Sequence, residues 1–292
     1  LSYYLNNALK EDIARLSQGI SVVHLYANQL ALLTVNIPTS LEQQKIASCL
    51  FSLDELITAQ SQKLKTLKEH KKGLMQNLFP ANGKTTPEYR FPEFQNAGEW
   101  GEKKLGEIAK VLQGCGFPIK YQGLTKGKYP FYKVSDISNA LLKGNYFINN
   151  ATNYIDDNVF AKLQAKIIPP KTTIFAKIGE AIRSNKRCFT TVPCVIDNNV
   201  AGLNKIEEKS VDKFIFYFFS KVSLIEYSGG AVPSVNKSTI EAIPIFVPPL
   251  TKEQQKIADC LSSLDELITA QSQKIKTLKE HKKGLMQNLF PN

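Results

Sequence analysis

Positions 46, 50, 53, 57, 60, 64, 67, 71, 74 and 78 follow an alternating four–three spacing, and eight of these ten are Ile or Leu. Such a seam, held over more than about four heptads, predicts one long coiled-coil helix, interrupted only by the polar Gln60 and Lys71. No Pro or Gly falls inside it before Gly73, and Pro80 stops it. The pattern returns from Ile257 to Leu289, with Pro291 in the place of Pro80. At ~1.5 Å per residue each helix would run ~58 Å, too long to stay solvated alone, so the two copies are expected to pair.

The two helices are a duplication. Residues 42–80 and 253–291 differ at three of 39 positions: Ser48/Asp259, Phe51/Ser262 and Leu64/Ile275. The offset is 211 residues, a long unit rather than a short solenoid period. Similarity fades upstream, where Val35–Pro38 matches Phe246–Pro249 and Ser17-Gln18-Gly19 matches Ser228-Gly229-Gly230. Residues 2–36 thus correspond to 213–247, the tail of the segment between the helices. A compact segment has its ends close together, which places the end of helix one beside the start of helix two and predicts antiparallel packing. Antiparallel twins are related by a dyad, as are the two half-sites of a duplex, which lie ~34–36 Å apart when one turn separates them.

The middle segment reads as short strands at about 128–137, 172–178, 198–206 and 243–247. Short helices are expected at 156–164, capped by Asp156, and at 211–227, where Phe214, Phe218, Val222 and Ile225 share a face. The expected fold class is α+β: mixed α/β heads joined by long antiparallel coiled-coil helices from a repeated segment. The boundaries are a C-terminal remnant of a first head at 1–36, the first long helix at 37–80 and a linker at 81–97. A complete head follows at 98–248, then the second long helix at 249–292.

Composition narrows the function. With 43% hydrophobic and 22% charged residues the chain is not of the disordered class. No apolar run approaches ~18 residues, so no membrane span is expected. The start shows no secretory signal, and Leu1 in place of Met points to a processed, trimmed or cut end. Five Cys without a CxxC pair read as reduced thiols, consistent with a cytoplasmic protein. Of the +11 net charge, the head holds the larger share, 20 Lys/Arg against 13 Asp/Glu over 98–247. An anionic partner is the natural reading. The chain lacks a GxGxxG, a GxxxxGK[ST] loop, an Asn/Asp-Pro-Pro-aromatic motif and a nuclease carboxylate cluster. No catalysis, cofactor or metal is expected.

Several segments together resemble the specificity (S) subunits of type I restriction–modification systems. PEYRFPEF (87–94), Trp100 and KLGEI (104–108) resemble the family's opening of a target recognition domain. IPIFVPPLTKEQQKIADCL (243–261) resembles its closing into the long helix, and IPTSLEQQKIASCL (37–50) is the same closing in the first copy. The resemblance covers most of 37–291. It implies a reader of double-stranded DNA without catalysis of its own, which docks methyltransferase (modification) subunits directly and restriction/translocase subunits indirectly. The site read is bipartite. The family order is head, helix, head, helix, whereas two full periods of 211 residues would need about 420, so roughly 130 are missing from the first head. Truncation, proteolysis or a natural half-subunit acting as a homodimer would each account for that. The competing class is a coiled-coil spacer or adaptor whose basic heads bind protein or RNA.

The DNA-contact candidates fall in three loops. Arg183, Asn185, Lys186 and Arg187 form a basic cluster with the head's two arginines, the residue type best suited to bidentate reading of guanine. Lys120, Tyr121, Lys126 and Lys128 follow the flexible Gly114-Cys115-Gly116. Asn236 and Lys237 sit where the family carries a Gly-rich loop facing DNA, unless Ser238 simply caps a short helix. Lys177 lies at a strand end. Phosphate-positioning lysines should outnumber base readers. His70 and His281 are expected to be solvated, Cys188 and Cys194 to be core, and Cys49 and Cys260 to neighbour the seam. Lys63, Lys65, Lys68, Lys71 and Lys72 read as a solvated stripe.

Overall fold

The computed structural model describes residues 2–7, 9–17, 24–81 and 83–290. The correspondence at Gln18-Gly19 and the stop at Pro291 lie outside them. Two compact units are present, Leu1–Thr66 with Ala270–Asn292, and Leu67–Thr269.

Both long helices form, Ser40–Asn77 and Thr251–Leu289. In the first, all ten seam positions are buried or half-buried while most of their neighbours are exposed. Within the first unit the helices run antiparallel: the Gln271 side chain donates to the Gln60 carbonyl (2.9 Å) and Oε1 (2.8 Å), and Lys282 Nζ meets Asp54 (2.5 Å). The two glutamines are repeat equivalents, so the polar interruption at Gln60 is answered by its own copy. Tyr3, on the short helix Ser2–Asn7, donates to the other oxygen of Asp54 (2.7 Å), with Lys282 Nζ 5.1 Å from its ring centre.

The same three-residue contact recurs inside the second unit. Lys71 Nζ meets Asp265 at 2.5 Å, Tyr217 OH donates to its other oxygen at 2.7 Å, and Lys71 lies 5.3 Å from the Tyr217 ring. Lys71 and Lys282 are repeat equivalents, as are Asp54 and Asp265. Lys71 is therefore not part of a solvated stripe: only 15% of its side chain is exposed, because a carboxylate from the opposite helix desolvates and pairs it. His70 and His281 are exposed, as expected.

Among the described residues, the remainder of the second unit holds ten short strands: β1 (Gly101–Lys104), β2 (Ala109–Gln113), β3 (Tyr129–Tyr132), β4 (Phe147–Ile148), β5 (Asn153–Ile155), β6 (Thr173–Ala176), β7 (Arg187–Thr190), β8 (Val195–Ile196), β9 (Val200–Lys205) and β10 (Pro244–Val247). They form sheets ordered β1-β10, β2-β9-β6-β7-β4 and β5-β3-β8. β6, β7 and β8 are fully buried and β9 nearly so, and their residues are mostly apolar or Thr rather than alternating. Helix Asp212–Lys221 lies on the five-stranded sheet through Phe214, Ile215, Phe216 and Phe219, with Phe219 4.6 Å from Phe175 between ring centres.

Phe79, just past the first long helix, joins that core. Its ring lies 5.4 Å from Phe214 and 6.3 Å from Trp100, and Ile257, Ala258 and Leu261 of the second long helix complete the cluster. Residues 85–90 are tied down as well. Tyr89 N donates to Asn77 O, Trp100 N donates to Thr85 O, and Arg90 forks both oxygens of buried Glu253 at 2.7 Å.

Two elements differ from the sequence expectation. The strand expected over 128–137 ends at Tyr132, and Val134–Leu142 is a helix. Val134, Ile137 and Leu141 carry the helical period, and Asp136 Oδ2 accepts from the Lys133 N–H at 2.8 Å, which caps the start. The helix expected over 211–227 stops at Lys221. Val222 turns extended, and a 3-10 turn, Leu224–Tyr227, follows. The helix at 157–162 forms with Asp156 accepting from Val159 N at 2.8 Å.

Candidate nucleic-acid interface

One end of the five-stranded sheet gathers residues from three loops. Lys177 leaves β6 there, its N–H donating to Asn199 O (2.9 Å) ahead of β9 and its Nζ to Gln113 Oε1 (2.7 Å) at the end of β2. The 229–237 loop is laid alongside: Val235 N donates to Lys177 O (2.9 Å) and Gly179 N to Pro233 O (2.7 Å). Gly179 has φ +81°, a conformation that favours glycine, and it is the corner of this turn. Half-burial lowers the Lys177 pKa from its ordinary value.

Asn236 and Lys237 are both exposed on the same loop. The cap of the short helix Lys237–Glu241 is Asn236 rather than Ser238: Asn236 Oδ1 accepts from Thr239 N (2.8 Å) and from the Ser238 hydroxyl (2.7 Å). Its carbonyl oxygen is thus committed locally. Lys237 reaches Glu241 at 3.5 Å in an exposed pair of small energetic weight.

Gly114 sets the path of the second basic loop. A Cβ there would sit 2.1 Å from Asp197 O and 2.3 Å from Ile196 O, while Cys115 N donates to Ile196 O at 3.1 Å. Gly114→Ala must therefore push the 114–117 backbone off β8. The expected cost is about 1–3 kcal/mol or more, read as a fall in urea midpoint with faster amide exchange at Cys115. Beyond this point Lys120 is exposed 5.0 Å from the ring centre of half-buried Tyr121, and Lys126 is exposed. Lys128 is held by Asp157 (2.7 and 2.9 Å), whose carboxyl it keeps below the usual range.

The Arg183–Arg187 cluster divides. Arg183 is exposed and pairs with Glu180 at 2.9 Å. Asn185, at φ +49°, points its amide toward Ser220 O, and half-buried Lys186 donates to the Ser138 hydroxyl at 3.2 Å. Arg187 is only 4% exposed, its guanidinium 4.6 and 5.3 Å from the ring centres of Phe219 and Phe175. Reading guanine would require it to leave both rings, so its place in the head is structural. Burial lowers its pKa to about 9. Cys188 and Cys194 are core, their thiols pushed up to about 12 by burial.

The family model described as the type I restriction modification DNA specificity domain matches residues 1–69 and 97–280. The chain belongs to that family. A type I restriction enzyme specificity subunit, MjaIX of Methanocaldococcus jannaschii, is 25% identical over 300 residues, spanning 98% of this chain and 67% of that protein. The chain spans 66% of the length of a second relative from that organism, MjaX. Among solved structures, the type I S subunit from M. genitalium superposes with a TM-score of 0.69 at 15% identity, over 99% of this chain and 71% of that one. HsdS from Thermoanaerobacter tengcongensis gives 0.51 at 15%, over 99% and 68%. The structural likeness bears on the fold: mixed helix and sheet with long paired helices.

The sequence reading of this family member missed Gln113 and Asn199, which flank Lys177, and it missed the buried carboxylates Glu253 and Asp265. Residue type gave no signal for the first two, because register alone brings them to the sheet end. A signal for Asp265 existed: it follows seam position Leu264, and Lys71 is the charge facing it.

Proposed function

We propose that the chain is a non-catalytic DNA-recognition subunit of a type I restriction–modification complex. Its head reads one half of a bipartite duplex site and its helices dock modification subunits, with restriction/translocase subunits bound indirectly, in the cytoplasm. The observation that carries this reading is the Tyr–Asp–Lys contact, made once in each unit by repeat-equivalent Asp and Lys residues. In one unit the tyrosine belongs to a complete head; in the other it belongs to Ser2–Asn7, where the 211-residue offset pairs Tyr3 with Phe214, so the two tyrosines reach equivalent carboxylates from positions one helical turn apart. Residues 1–36 are accordingly read as the tail of a first head.

A second observation supports that. Glu253, Gln254, Ala258 and Ser262 are buried by the head, whereas their equivalents Glu42, Gln43, Ala47 and Phe51 are exposed. Phe51 is 59% exposed, and Tyr3, Tyr4, Val35, Ile46 and Phe290 line an open cavity of ≈ 180 Å³. A first head, from a longer form of this chain or from a second copy in a homodimer, would cover this face.

On the duplex, Lys177, Lys237, Lys120, Lys126, Lys128 and Arg183 are assigned to phosphates. Asn236 and Tyr121 are assigned to the groove, and Asn185, Lys186 and Arg187 to shaping the neighbouring loop. Co-expression with the modification subunit followed by mapping of methylated adenines tests the reading. A bipartite motif, one half of which changes when the 98–248 head is exchanged, is the expected result. Equal affinity for every duplex, or preference for RNA, would overturn it in favour of a spacer.

A further inference from the structure

Gln113 ends β2, in register with Ala201 of β9. The chain beyond it is clamped as well, since Gly114 packs against Ile196 O and Asp197 O, and Cys115 N donates to Ile196 O. The Gln113 side chain is exposed. Its partner is Lys177, whose Nζ donates to Oε1 at 2.7 Å. An ammonium carries donors only, so the amide must turn its oxygen toward Lys177 and its NH2 group away. Among the described residues, Nε2 then has no acceptor. The lysine is itself held in place: its backbone N–H donates to Asn199 O, and Asp197, only 5% exposed, accepts from Asn199 N at 2.9 Å. An open pocket of ≈ 130 Å³ lies beside Gln113, walled by Gln164, Lys166, Val195 and Ile196, and among the described residues no carboxylate lines it.

We infer that Gln113 is a specificity-determining residue of the head and that the base it reads is guanine, from the major groove. This rests on the duplex reading above. A glutamine free to use both ends of its amide pairs with adenine, whose edge sets an acceptor beside a donor. Gln113 has its acceptor end taken by Lys177 and presents donors. Guanine is the base that sets two acceptors, N7 and O6, side by side; thymine has one acceptor beside a methyl group, and cytosine offers a donor. Lys177 keeps its phosphate role, because an ammonium has three donors and Gln113 uses one.

The test maps the methylated motif of the full complex, with modification subunits, for the unchanged chain and for Gln113→Glu and Gln113→Ala. The side chain is exposed, so both variants are expected to fold. Gln113→Glu puts an acceptor-only group beside Lys177, and one guanine of the half-site should give way to cytosine, whose N4 donates to a carboxylate. Gln113→Ala should level the four bases at that same position, with discrimination falling about tenfold or more. The other positions should stay as they are in both variants. A motif that keeps every guanine in both variants, or a half-site without a G·C pair, overturns the assignment and leaves the duplex reading standing. An unchanged chain that directs methylation to no motif overturns the duplex reading, and the assignment with it.

Discussion

Asp265→Ala is expected to destabilise the protein by about 3–5 kcal/mol, whereas Asp54→Ala, the identical change at the repeat-equivalent position, costs about 0–1 kcal/mol. The first removes a carboxylate with no exposed side-chain area and strands a largely buried ammonium and the Tyr217 hydroxyl. The second removes one that is 39% exposed, from a pair whose lysine is 20% exposed, so water replaces much of what is lost. Urea denaturation of both variants followed by tryptophan fluorescence checks this, since Trp100 lies in the head core next to Phe79. For a chain of this size the first change corresponds to a fall of roughly 10 °C in Tm. Equal losses at the two sites would mean that the head does not bury Asp265 in solution.

Binding of duplex DNA should lose on the order of a hundredfold in affinity when Lys120, Lys126 and Lys177 are all changed to Gln, at near-physiological salt. Each phosphate contact releases about 0.9 of a condensed counterion, so the slope of log affinity against log salt should flatten by about 3. The loss should be nearly uniform across sequences, because these lysines position the backbone rather than read bases. Measuring the slope on a cognate and a scrambled duplex, with the modification subunits present, separates the two roles. A loss confined to the cognate duplex would make at least one of the three a base reader. An unchanged slope would remove this end of the sheet from the interface.

The long helices were legible because a seam is a one-dimensional signal. A helix repeats every ~3.6 residues, so spacing alone reveals which face is covered. The duplication added the pairing of the two copies, but which residue answers each polar interruption, Gln271 for Gln60 and Asp265 for Lys71, came only from the structure. The head was harder. β6, β7 and β8 are buried along their whole length, so no alternation marks them, and three of the ten strands, β4, β5 and β8, have only two or three residues. The helix Val134–Leu142 was hidden behind the aromatic run of β3, which dominates any short window.

The DNA-contact candidates show the same division. Charge and residue type marked Lys120, Lys126, Lys177 and Lys237 as available, and they lie exposed or half-buried on loops or at the ends of short elements. Charge also marked Arg187, yet strand β7 carries it inward against two phenyl rings, because alternation along a strand depends on which faces are covered. Nothing local to Arg187 indicates that.

By itself the sequence determined the two rods, their antiparallel pairing and the family, since all three rest on periodicity and on a repeat read along the chain. The tertiary structure decided which copies of the repeated charges are buried and which basic residues reach solvent. Burial is a property of the surface that folds against a residue. Two identical segments, one covered by a head and one bare, therefore hold identical side chains in different dielectric surroundings.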